Sequence, residues 1–320
     1  MFRFNSWRIF LLAVCLCKPL YADQGLLAQH RSAQPITALI GLPAASVRSD
    51  GMHVQLSIEH SNVFMGGASA AEKLMLDGET TALHARFSKR LNPCWQTDAA
   101  LVYLSHNGGF LDTPIEDWHS VFGLPNASRE LVETDKLEYS YQSGDDVVRQ
   151  VVSNEQGFGD IQLSIQRFRA CEQGAPIWRV GTKLGIASDD GFFGSGGTDF
   201  FIDWQSSRLK ITQRFDGSWS VGLLALGKAN NLPKQNSLVA FGSLGSEFHW
   251  SSSLSIVAQL DWHSPIFNST LEELGRVSGQ FTLLARKKLR GNALEVSLSE
   301  DIVTDTAPDF SVRLAWRQGL

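Results

Sequence analysis

Ser253 to His263 reads SLSIVAQLDWH, with Leu254, Ile256, Ala258, Leu260 and Trp262 on one face of an extended chain and Ser255, Gln259, Asp261 and His263 on the other. That is the two-residue period of a β-strand, whose successive side chains point to opposite sides. Phe310, Val312, Leu314 and Trp316 alternate in the same way with Ser311, Arg313 and Arg317. Tracts of this kind fill the chain from Met52 onward. They predict strands over 52–63, 80–90, 95–106, 158–169, 177–187 and 197–206, then 218–227, 238–250, 253–263, 279–287, 293–301 and 310–317. Twelve such strands, apolar on one face and carrying charge on the other, predict an all-β, up-and-down antiparallel barrel that spans a membrane. An even count returns both ends of the wall to one side. Residues 209–215 also alternate and run into the turn signal Asp216-Gly217, which leaves a fourteen-strand count open.

The start of the chain has the build of a secretory leader. Arg3 and Arg8 precede an apolar stretch over 9–16, and Leu20-Tyr21-Ala22 place cleavage before Asp23. No other apolar run approaches the roughly 18 residues of a spanning helix. Crossing a bilayer then requires a closed barrel, because hydrocarbon offers no partner to unpaired backbone groups. The expected organisation is a signal peptide over 1–22, a periplasmic segment over 23–51 and a barrel over 52–320. The expected location is the outer membrane of a Gram-negative bacterium, after Sec-type export.

With Lys and Arg numbering 28 against 33 Asp and Glu, the formal charge is −5, and removal of Arg3, Arg8 and Lys18 with the leader takes it to −8. No basic face is left to neutralise phosphates, which argues against a nucleic-acid partner. A charged fraction of 19% and a mean hydropathy of −0.09 suit a wall with one face in lipid and one in a wet interior. The expected partners are outer-membrane lipid, the barrel-assembly and periplasmic chaperone machinery, and a small-molecule solute. No cofactor is expected.

The connections alternate in length. Residues 91–94, 171–176, 251–252 and 288–292 are tight and assigned to the periplasmic side. One opposite connection, residues 107–157, is about fifty residues long, and loops beyond roughly 15 residues are mostly functional or disordered. Trp118, Val121, Phe122, Leu124, Leu131, Tyr139 and Tyr141 recur through it, which argues for a folded loop. A hairpin is expected from 137–141 and 147–152 across Ser143-Gly144-Asp145, and a short helix over 114–122 starting at Thr113. The loop then acts either as a lid folded into the mouth or as a cap over the rim. Its candidate gate residues are His106, Asp112, Glu116, Asp117, Trp118 and His119.

The segment Ser105-His106-Asn107-Gly108-Gly109-Phe110-Leu111-Asp112, running into Ile115-Glu116-Asp117-Trp118-His119 and Phe122-Gly123-Leu124-Pro125, resembles the hallmark block of a proteobacterial family of outer-membrane barrels, domain of unknown function family 3187. Leu76-Asp77-Gly78-Glu79-Thr80, Gly157-Phe158-Gly159-Asp160, Gly194-Ser195-Gly196-Gly197-Thr198-Asp199, Glu300-Asp301 and Ala307-Pro308-Asp309-Phe310 resemble further blocks of it. The resemblance implies architecture and location, with no activity attached. Such barrels often end on an aromatic assembly signal, whereas here residues 317–320 follow Trp316.

Strand parity points His84, Arg86, Arg179, Lys183, Arg286 and Arg313 inward, together with Glu59, Asp203, Glu247, His249, Asp261, His263 and Glu295. Mixed signs in similar number predict a lumen crossed by ion pairs. A barrel of this size leaves little bore, since eight strands are filled by side chains and a general pore needs about sixteen. Asp261 and His263 share a strand face and are the weak catalytic candidates for a lipid hydrolase; no Gly-x-Ser-x-Gly accompanies them. Metal binding by His106 and His119 with Asp112 or Glu116 has no recognisable ligand spacing. Cys94 and Cys171 fall in short turns of an oxidising compartment and are candidates for a disulfide. The favoured function is a narrow or gated conduit for small or apolar solutes, with a barrel-type lipid hydrolase and a structural or adhesive barrel as alternatives.

Overall fold

The computed structural model describes residues 27–29, 32–48, 51–122, 134–168, 177–189, 191–206, 208–229, 231–303 and 306–319. The strands are β1 (Met52–Ala68), β2 (Glu72–Asn92), β3 (Trp95–Asn107), β4 (Glu138–Ser143), β5 (Asp146–Val151), β6 (Glu155–Phe158), β7 (Ile161–Arg167) and β8 (Ile177–Leu184). They continue as β9 (Asp199–Gln205), β10 (Leu209–Lys210), β11 (Phe215–Ala225), β12 (Leu238–His249), β13 (Leu254–His263), β14 (Ser278–Leu289), β15 (Asn292–Asp301) and β16 (Phe310–Gly319). Three helices join them: α1 (Pro35–Ala38), α2 (Asp112–Phe122) and α3 (Glu272–Gly275).

Twelve of the strands form a closed antiparallel wall in the order β1-β2-β3-β7-β8-β9-β11-β12-β13-β14-β15-β16. Closure comes from β1 pairing with β16, with Glu59 opposite Arg313 and Ser61 opposite Ser311. The alternating tract 209–215 adds no wall strand: only Leu209 and Lys210 pair, against the start of β11. The wall is inverted relative to a water-soluble protein. Leu294, Val296 and Leu298 of β15 are exposed while Glu295, Ser297 and Ser299 are buried; on β16, Leu314 is exposed and Arg313 buried. Among the described residues no helix is long and apolar enough to cross a membrane. Aromatic pairs cluster at the short-turn end, among them Trp178–Trp204 at 4.4 Å and Phe215–Phe248 at 4.9 Å between centroids, where an interfacial girdle belongs.

Two features depart from the expected layout. First, β1 and β2 run on well past the roughly 9–11 residues that span a bilayer, so Phe64–Ala68 and Glu72–Asp77 form a hairpin standing above the barrel. There β4 takes the place of β3 beside β2, and β5 pairs with β4. Second, the N-terminal stretch expected in the periplasm lies within the barrel: residues 27–29 and 32–48 bond to inward-facing side chains of β2, β3, β7, β8, β9 and β13. The physical reason is that a polar lumen this wide can seat one more extended chain.

The principal apolar core sits at the long-loop end and seals the mouth. Ile36, Leu39 and Ile40 of the N-terminal segment pack there with Val63, Leu74, Tyr139, Phe192, Phe241 and Phe267. Toward the short-turn end, the polar side chains take over. Arg286, fully buried, bonds Glu295 at 2.8 Å and Glu247 at 3.2 Å, and Arg317 reaches Glu295 at 3.1 Å. Glu295→Leu leaves these guanidiniums facing one another without their shared anion, and should lower stability by about 3–5 kcal/mol. Ser297→Ala, on the same inner face, should lower it by about 1 kcal/mol or less. Urea midpoints in lipid vesicles check the ordering, and equal losses would contradict it.

Glu72, at the tip of the overhanging hairpin and outside the membrane span, accepts from the Tyr141 hydroxyl (2.7 Å), the Ser269 hydroxyl (2.8 Å) and the Thr270 amide (2.8 Å) and hydroxyl (2.9 Å). Burial works to raise its pKa, and these donors outweigh it, holding the carboxyl below its usual value. A depressed folded-state pKa contributes stability above the unfolded value of about 4.3 and loses it as pH falls through the folded one. Protection of the Thr270 amide against deuterium exchange should therefore weaken in acid below that range, and Glu72→Gln should remove the pH response.

Candidate functional site

The lumen is occupied by the chain's own N-terminal segment, here called the plug. An extended chain inside a barrel has no neighbouring strand, so its backbone groups need partners from the wall. Inward-facing glutamines supply many of them. Gln205 acts on Ser46 as a strand would, accepting from its N–H at 2.9 Å and donating to its carbonyl at 3.0 Å. Gln259 does the same for Ala28 at 2.6 and 3.4 Å. Gln162 donates to Gly41 at 3.1 Å, while Gln96 and Gln166 both donate to Val47, at 2.9 and 3.4 Å.

Wall cations serve the remaining carbonyls. Arg179 grips Asp203 with two nitrogens (3.0 and 2.6 Å) and donates its third to Ala44 at 2.7 Å. Lys183 bonds Asp160 at 2.9 Å and the Ser195 hydroxyl, lies 3.4 Å from Asp199, and donates to Leu39 at 3.1 Å. Asp199 in turn accepts from the Gly41 amide at 2.8 Å. The chain passes so close here that a Cβ on Gly41 would lie 2.9 Å from that of Lys183. Arg86 reaches the Ala45 carbonyl at 3.4 Å. Arg313 donates to the Ser57 hydroxyl across the β1–β16 seam, at 3.0 Å by its closer nitrogen. Glu247 accepts from Ser255, Arg208 and Arg286. Asp216, Glu247 and His249 approach one another, but Arg208 lies against both carboxylates and neutralises them.

Beside the plug, against β1–β3, lie small chambers, among them two of about 40 Å³ each. The lower is lined by Gln55, Glu59, Arg86 and Arg313, the upper by Pro35, Val102, His106 and Phe192. A water in bulk occupies about 30 Å³, so each chamber has room for little more than one water.

At the mouth, His106 is buried between the rings of Tyr139 (5.3 Å) and Phe193 (5.2 Å), with Nδ1 2.8 Å from the Thr80 hydroxyl. Asp112, buried at the start of α2, accepts from Asn62 at 3.0 Å and from the Asp135 amide at 2.8 Å. Glu116 is half-buried and Asp117 exposed. The side chains of Trp118 and His119 lie outside the described residues, as does Cys171; Cys94 is half-buried in the β2–β3 turn. Asp261 and His263 share a face without bonding: Asp261 takes the Ser243 hydroxyl and the Gln259 amide, while His263 Nδ1 lies 2.9 Å from the Ser264 carbonyl.

Of the five plug-holding glutamines the sequence marks only Gln259 as inward-facing, and it marks no role for Glu79. Glu79, fully buried, is 2.6 Å from His60 Nε2 and accepts the Phe110 and Leu111 amides at 2.9 and 2.5 Å. It fastens the Gly108-Gly109 loop, where Gly109 has φ +84° and a Cβ would strike the Glu79 side chain. The glutamines were detectable only as long amides on the inner parity of their strands.

Gln205→Leu leaves both backbone groups of Ser46 unmatched, at about 1–3 kcal/mol for each buried orphan. In a Cys94→Ser, Cys171→Ser background, a cysteine introduced by Ala44→Cys should then react faster with maleimide. An unchanged rate would mean the glutamine does not hold the plug.

No curated protein matches the chain. Among solved structures the fold is similar to an outer-membrane channel from Pseudomonas putida F1, with a TM-score of 0.54 at 10% identity over 88% of this chain and 97% of that one. It is more loosely similar to the P. putida toluene transporter TodX (TM-score 0.42, 10% identity, 89% and 94% covered) and to a Pseudomonas aeruginosa FadL homologue (0.42, 10%, 93% and 96%). The barrel is of the kind found in the outer membrane of Gram-negative bacteria. Residues 21–320 match the family described as protein of unknown function DUF3187, and the chain is a member of that family.

Proposed function

We propose that this protein is a gated outer-membrane conduit whose N-terminal segment is the gate, with small apolar solutes as its cargo. The observation that carries the reading is the way the plug is held. Below the mouth it is held chiefly by hydrogen bonds from Gln96, Gln162, Gln166, Gln205 and Arg179, with a small apolar contact of Leu27, Ala28 and Ala45 on Val257 and Leu284. Each such bond contributes only about 1 kcal/mol net, because water can replace it. Withdrawal into a wet lumen is therefore gradual and reversible.

The mouth is different. Ile36, Leu39 and Ile40 are buried against the apolar core, and exposing each costs about 1.5–3 kcal/mol. A solute that occupies their place removes that penalty, and only a ligand that favours the open state can shift the balance toward it. An apolar solute meets this requirement and a polar one does not. Cleavage of the leader near Ala22 and insertion by the barrel-assembly machinery, after escort by periplasmic chaperones, belong to the same reading.

Deleting residues 27–47 from the full chain should convert a silent or briefly flickering barrel into one with resolvable unit conductance in planar bilayers. Heat-modifiable gel mobility confirms that the deleted form is folded. A folded, plug-free barrel that stays silent would sink the conduit reading.

A further inference from the structure

On the outer surface near the long-loop rim, β6 and the loop after β8 frame a cleft of about 490 Å³, within the size range of small-molecule sites. Its lining includes Glu155, Phe158, Ile186, Ala187, Gly191 and Phe193. Phe158 and Ile186 are 66% and 62% exposed there, and Phe158 meets the ring of Tyr103 edge-on at 5.0 Å. Phe193 also lines the upper chamber beside the plug. One ring thus separates the outer cleft from the lumen.

That ring is seated rather than fastened. It stacks on His106 at 5.2 Å and 25°. It also lies over two glycines: a Cβ would come within 3.3 Å of it at Gly157 and 3.0 Å at Gly191. Side chains at both positions would crowd the slot, and their absence lets the ring lie flat or swing.

We infer that this cleft is the entry site for a small, uncharged solute with a flat apolar face, and that Phe193 is both its stacking platform and the door behind it. The chemistry follows from the lining. Phe158, Ile186, Ala187 and Phe193 provide an apolar floor with an aromatic face, while Glu155 on the rim disfavours anions. An offset-stacked ring would gain on Phe193 what aromatic pairs gain elsewhere beyond area burial. The inner chamber of about 40 Å³ is too small for a ring, so passage beyond the door requires α1 to move. The role as a port rests on the conduit reading, whereas the affinity of the cleft does not.

The probe is 4-fluorophenol, followed by fluorine NMR with the full chain in lipid nanodiscs. Saturable line broadening is expected from the unaltered protein, about tenfold weaker binding in Phe193→Ala and in Ile186→Asp, and no change in Leu314→Ala on the lipid-facing wall. Charged 4-fluorobenzoate should not bind. Ile186 is exposed, so its substitution leaves folding intact and keeps the test decisive if Phe193→Ala does not assemble. Absence of saturable binding, equal affinity in Ile186→Asp, or preference for the benzoate overturns the inference. The measurement is made on the plugged protein, so a silent plug-deleted barrel would remove the conduit reading while the affinity of the cleft is still read directly.

Discussion

Every backbone N–H and C=O in hydrocarbon must be bonded within the protein, and this constraint organises the whole molecule. It forbids a free strand edge, so β1 must find β16, and it does so from Asn62↔Phe310 to His53↔Gly319. Closure fixes which face of each strand meets lipid. Leu83, Val180, Leu283 and Leu314 are left outside, while Arg286, Lys183, Glu247 and Glu295 are enclosed. Enclosed charges are tolerable only when paired, and the Arg286–Glu295–Arg317 and Arg179–Asp203 groupings meet that need.

The same constraint acts a second time within the barrel. The plug is extended backbone without a partner strand, and the wall answers with long amides and cations reaching inward. Gln205 and Gln259 present donor and acceptor together on separate atoms, which is why a glutamine can stand in for a strand where arginine, which has no acceptor, cannot. The plug is consequently bonded along its length yet makes no continuous sheet with the wall. Apolar contacts join these bonds: Leu27, Ala28 and Ala45 pack with Val257 and Leu284, and at the top Ile36, Leu39 and Ile40 share a larger core with Tyr139 of the overhanging hairpin and Phe192 of the loop beyond β8. The larger of these apolar contacts lies at the mouth, above most of the polar ones.

Much of the wall is legible in strand parity alone, because a period of two needs no knowledge of partners. The twelve-strand count and the antiparallel closed architecture follow from it. The overhang of β1 and β2 was hidden by Gly66, Gly67 and Gly78, which interrupt the alternation and read as loop. Residues 209–215 misled in the opposite direction: they alternate, but Thr212 to Arg214 turn back and only two residues pair. The plug left no local signature because its partners lie far away in sequence, with Ala28 meeting Gln259 and Ser46 meeting Gln205. Glu79 escaped notice for a related reason, since the His60 and Phe110 groups it holds come together only when β1, β2 and the following loop are assembled.

By itself the sequence determined that this chain is a wall of alternating strands with a charged interior, because the polarity of each face is written residue by residue and a bilayer reads it directly. What only the tertiary structure decided is what fills that interior. Bonds between a plug carbonyl and a distant glutamine, or a ring of Phe193 set over two glycines, depend on distances across a closed barrel, and no periodicity along the chain encodes those.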